Sequence, residues 1–134
     1  MKSILKSVIL VKVFFILSIT VNAQARLTIE NNSQRSMTVK VMQGNGGRGR
    51  LHQTTTIGAY RSETVYFSES GNYFTKTKAV LKGKDPVYRK GQPFKVTNDA
   101  TGYSIMRLTF SIKESSLPQA TGGKSISKTE FDEN

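Results

Sequence analysis

From Ala25 onward, apolar residues recur at every second position in short runs, and clusters of Gly, Asn, Asp and Pro interrupt those runs every eight to twelve residues. No other feature limits the fold as strongly. Period two is the spacing of a half-buried strand, and punctuation at that interval is turn chemistry, so this chain must build its core from sheets. Leu27 and Ile29 alternate with Thr28 and Glu30, and after Asn31-Asn32-Ser33 a second run puts Met37, Val39 and Val41 on one face and Thr38 and Lys40 on the other. Further strands are predicted from Leu51 to Ile57, Thr64 to Phe67 and Tyr73 to Lys82. Val87-Tyr88 and Phe94-Lys95-Val96 form a hairpin or a broken edge, because Pro93 cannot donate to a central ladder. A last strand from Tyr103 to Lys113 aims Met106, Leu108, Phe110 and Ile112 at the core.

About seven strands over about 90 residues predict an all-β fold: a single two-sheet β-sandwich of immunoglobulin-like architecture. A small closed barrel and a jelly-roll variant remain alternatives that strand number does not separate. No helix is expected after residue 24, and the Cys pair and Trp of antibody-type domains are absent.

Residues 1–23 read differently. Lys2, Lys6 and Lys12 precede or enter an apolar run from Val13 to Val21, and Asn22-Ala23-Gln24 follows. That order predicts a secretory signal peptide cleaved before Gln24, with Val21 and Ala23 as the small residues at the site. The run is too short for a transmembrane helix, which needs about 20 residues. The expected organisation is therefore a signal peptide over 1–23, a β-sandwich domain over 24–113 and a disordered tail over 114–134, and no transmembrane segment is expected in the mature chain. An exported chain without cysteine must hold itself together by its core, which points to a bacterial envelope, periplasmic, cell-surface or secreted protein.

Composition excludes more chemistry than it suggests. Without cysteine there is no disulfide, thiolate-bound zinc or thiol nucleophile, and one histidine, His52, rules out a multi-histidine metal site. Glu30, Glu63, Glu69, Asp85 and Asp99 are scattered through turns and strand ends without the paired spacing of a glycosidase. Asn98-Asp99 alone offers too few oxygens for calcium. Thr121-Gly122-Gly123-Lys124-Ser125 ends like a phosphate-binding loop, but Pro118 stands where its first glycine belongs, so no nucleotide is expected. No catalytic residue, metal or cofactor is predicted.

Charge supplies the positive signal. Residues 24–113 carry 15 Lys+Arg against 5 acids, a net +10, whereas 114–134 carry 2 against 4. Lys76, Lys78, Lys82, Lys84, Arg89 and Lys90 fall within one stretch, with Lys76 and Lys78 on a strand face shared with Phe74 and Val80. Arg48 and Arg50 sit on a glycine-rich loop, Gln43 to Arg50, which has little to bury and is expected to be flexible. These eight cations are the candidate binding residues. Their expected partner is anionic: a polymer, lipid headgroups or an acidic protein. The same lysines also serve solubility and guard strand edges. Tyr60, Tyr66, Tyr73, Tyr88 and Tyr103, with Phe67, Phe74 and Phe94, provide either core aromatics or a contact platform. The expected function is a non-enzymatic binding or assembly module. A structural subunit pairing through edge strands and a membrane-surface-active protein are the alternatives.

Overall fold

The computed structural model describes residues 24–114, 119–120 (backbone only) and 123–133. The predicted signal peptide lies outside the described residues. In chain order the described elements are β1 (Ala25–Asn32), β2 (Ser36–Gln43), β3 (Arg50–Ile57), β4 (Ser62–Phe67), β5 (Gly71–Val80), β6 (Val87–Lys90), β7 (Phe94–Val96), β8 (Asn98–Asp99), β9 (Gly102–Tyr103), β10 (Ile105–Lys113), β11 (Gln119–Ala120), β12 (Lys124–Ser125) and the short helix α1 (Lys128–Asp132).

The strands make a four-stranded sheet in the order β11-β10-β1-β4, a larger sheet in the order β12-β6-β5-β2-β3 with β7 added to β5, and a β8–β9 hairpin. Each large sheet ends in edge strands, so the barrel alternative is not formed. Within the smaller sheet β1 runs antiparallel to β4, opposing Leu27 to Val65, and parallel to β10, opposing Leu27 to Met106. The predicted alternation is realised here: Ala25, Leu27, Ile29 and Asn31 are buried, and the residues between them are not. One apolar cluster takes Leu27, Ile29, Val65 and Phe67 from the smaller sheet and Met37, Val39, Val41, Ile57, Tyr73, Ala79 and Val96 from the larger. Burying each such aliphatic side chain stabilises the fold by about 1.5–3 kcal/mol, and no disulfide adds to it.

One end of the core is closed by polar groups. Arg35 is fully buried and donates to both carboxylate oxygens of Glu114, at 2.9 and 3.1 Å, and to the carbonyls of Ala79 and Asp85. Beside it the Asn31 amide donates to the Arg35, Ile57 and Gly58 carbonyls. Five carbonyls of the corner turns and strand ends thus meet a side-chain donor.

Three expectations change. The last long strand breaks at Ser104, whose backbone and hydroxyl both bond Thr97, so Tyr103 joins the β8–β9 hairpin instead. The glycine-rich loop packs: a Cβ at Gly49 would stand 2.9 Å from both the Gln43 carbonyl oxygen and Phe74 Cε1, so only glycine lets the backbone lie on that ring. The tail expected to be disordered carries β11, β12 and α1, and α1 is a helix where none was expected.

Candidate anion-binding face

The second face of β5 positions the site. Five consecutive residues, Tyr73 to Thr77, are buried, which a strand covered on one side cannot achieve. Tyr73 and Ala79 belong to the core, whereas Phe74 lies under the glycine-rich loop and Lys76 under α1.

Pairing registers place Lys40 of β2 opposite Lys76 of β5, Lys76 opposite Lys90 of β6, and Lys90 opposite Lys124 of β12. Four lysines therefore form a row across four adjacent strands. Directly opposed like charges destabilise a sheet, by roughly 0.2–1 kcal/mol per pair, unless a counter-charge lies across them.

The C-terminal segment lies across them. Lys90 Nζ forms an ion pair with Glu130 Oε2 at 2.8 Å, Lys76 Nζ donates to the carbonyls of Glu130 (2.8 Å) and Glu133, and Lys40 Nζ donates to the Phe131 carbonyl at 2.9 Å. The last carbonyls of a helix have no partner within it, and α1 has no basic residue in its final turn, so the sheet lysines cap it. Its start is capped by Ser127, whose hydroxyl accepts from the Glu130 amide. Phe131, 4% exposed, is wedged between the Tyr88 ring (centroids 5.6 Å apart) and Lys40, whose Nζ lies 4.7 Å from the ring centroid.

The electrostatics follow this packing. Burial, reinforced by the Lys40 charge, lowers the Lys76 ammonium pKa, and Glu133 and Glu130 oppose that shift. The hydrogen bond from Lys90 holds the Glu130 carboxyl below its ordinary value, with the Lys90, Lys124 and Lys76 charges acting the same way. Asp132 is held low mainly by its hydrogen bond from Lys128, at 2.6 Å.

The chain reaches this face along a fixed path. At Gly123, φ is +63° and a Cβ would overlap the Lys90 carbonyl, so glycine is required there. Arg89 Nη2 holds the Gly123 carbonyl at 2.8 Å, and the Ile126 amide donates to Tyr88. Beside the row is a polar hollow of about 330 Å³, bordered by Arg48 and Gly49 on one side and by Lys76, Lys90, Glu130 and Glu133 on the other.

Among the predicted cations, Lys76 and Lys90 lie in the row, Lys78 is one register step away opposite Tyr88, and Arg48 borders the hollow. The other four are elsewhere. Lys82 and Lys84 follow β5, and Lys84 faces Glu114 at 3.9 Å. Arg89 sits on the opposite face, because its cross-strand partner is the core-side Thr77. Arg50 pairs with Gln43 and Glu69 at a distant edge. Sequence reasoning missed Lys40, Lys124 and the tail residues Glu130 and Phe131, and it named Tyr88 only among the aromatics for core or contact. The alternation in β2 marks Lys40 as outward, but only register shows that it faces Lys76.

Comparisons with protein-family models, curated proteins and solved structures found no match.

Other candidate chemistry is structural where it is described. His52 stacks on Phe67 with centroids 5.0 Å apart, meets Tyr73 edge-on, and its Nε2 hydrogen-bonds the Tyr66 carbonyl. Lys124 and Ser125 lie in β12 rather than in a strand-to-helix phosphate loop. Among the described residues no group of three His, Asp or Glu could hold a metal, and no helix is long and apolar enough to cross a membrane. Tyr60, Tyr66 and Tyr103 are exposed, whereas Tyr73, Phe67 and Phe74 are buried.

Proposed function

We propose that this chain is an exported, non-enzymatic binding module, a two-sheet sandwich of immunoglobulin-like kind acting at a bacterial envelope or outside the cell. It engages an acidic partner through the lysine row of β2, β5, β6 and β12. The observation that carries this reading is that the row already holds an acidic, phenylalanine-bearing segment of the same chain by ion pair, capped carbonyls and ring contact. A surface that binds such a segment in cis has the chemistry to bind one in trans, and the resident tail then acts as a competitor. The basic leader-like segment and the cysteine-free composition support the export part of the proposal.

A fluorescently labelled peptide of residues 126–133, titrated in an anisotropy assay, tests the binding. The Phe131→Ala chain, with its own tail loosened, should bind the peptide more tightly than the intact chain, and added salt should weaken binding in both. Equal affinity after Lys76→Glu would overturn the reading. Self-assembly through an edge remains a second reading, because β3 is an eight-residue edge strand with neither Lys nor Pro to guard it.

A further inference from the structure

The predicted core strand β10 is not fully covered. Met106, Leu108 and Phe110 face inward as expected and pack against the core cluster, yet each remains only partly buried. They wall a cleft of about 440 Å³, with Leu27, Phe94 and Pro93 among its other apolar lining. Clefts of this size, about 300–1,000 Å³ and mainly apolar, are where small ligands bind. From Met106 to Phe110 the strand runs about 13 Å, which makes the apolar wall long and narrow.

Its charged rim is narrow. Three cations border the cleft, but Lys90 turns its ammonium to Glu130 on the other face of the sheet and Arg107 pairs with Glu30, which leaves Arg89 as the cation of the rim; no acid among the described residues borders it. Arg89 lies on the cleft side of β6 because it opposes Thr77. Just past β6, Gly91 lies so close to β5 that a Cβ would stand 2.7 Å from Thr75 Oγ1, so glycine keeps that wall thin. Two residues along the same face, the buried Thr77 hydroxyl has no hydrogen-bond partner among the described residues.

We infer that the cleft between β10 and the β6–β7 side of the larger sheet binds a free single-chain amphiphile: its apolar chain lies along Met106, Leu108 and Phe110, and its anionic head meets Arg89 at the rim. The site is separate from the lysine row, so either can fail without the other.

Decanoate, titrated by calorimetry into the full chain, is the probe, with decanol as its uncharged counterpart. Decanoate should bind one to one and about tenfold more tightly than decanol, the difference expected of a charge-assisted contact. Leu108→Trp, which fills the cleft, should reduce affinity by about tenfold or more while the protein stays folded. Met106→Trp serves the same purpose if that variant does not fold. Absence of saturable binding, or undiminished binding in a folded tryptophan variant, would overturn the site. Equal affinity for decanoate and decanol would overturn the anionic head. Co-sedimentation with phosphatidylglycerol vesicles that is lost in the tryptophan variant would move the ligand from free amphiphile to bilayer lipid and overturn that assignment.

Discussion

At the scale of single residues, the fold depends on two buried cations handled in different ways. Arg35 has a carboxylate and two carbonyls as partners, which take four of the five guanidinium N–H donors. Removing one member of such a buried pair leaves the other charge uncompensated, which costs about 3–5 kcal/mol. Glu114→Ala should therefore lower the urea midpoint by that equivalent with an unchanged slope. A loss below about 1 kcal/mol would mean that Arg35 is satisfied without Glu114. Lys76 is the opposite case: only 4% exposed, it meets helix carbonyls and two neighbouring lysines. Its pKa is lowered first by burial and then by the Lys40 charge, so the ammonium form is held at a cost that Arg35 does not meet.

At the scale of elements, α1 forms only because of what lies beneath it. A five-residue helix is too short to persist in water, since nucleation costs more than one turn returns. Its anchoring carboxylates make the docking sensitive to acid. The pKa values of Glu130, which bonds Lys90 of the sheet, and of Asp132, which bonds Lys128 within the helix, are lowered in the folded chain, so their contribution is present above the unfolded values and is lost as pH falls through the folded ones. Amide NMR signals of α1 should disperse less as pH drops below about 4, before those of β1 and β2 change. Retention of the α1 signals down to core unfolding would show that the carbonyl contacts alone hold the tail. The same physics explains what could be read from sequence. The long strands β1, β2 and β10 were legible because alternation over six or more residues is a local signal, and β3 because its run of threonines is β-branched. The pairs β8–β9, β11 and β12 and the helix were not, because segments of two to five residues are decided by their partners. The lysine row was only half legible. Lys76 and Lys90 stand out as part of a basic run, but Lys40 joins them through a register between strands more than thirty residues apart.

At the scale of the molecule, the net +10 of residues 24–113 is met by a tail of net −2 laid across its central row. Charges separated by more than about 8 Å are screened at physiological salt, so the tail masks the row without neutralising the rest of the surface. The Phe131→Ala chain should therefore elute from heparin resin at higher salt than the intact chain. Identical elution would place heparin binding on cations outside the row.

The parallel pairing of β1 with β10 also has a kinetic side. Arg26 finds its partner at Ile105, and Asn32 finds its partner at Ser111, so the smaller sheet cannot be completed until almost the whole described domain is available. Contacts of such long sequence separation make folding slow, because the loop must close before any pairing rewards it. Until the last long strand has been made, the first has one open edge: β1 can pair with β4 but not with β10.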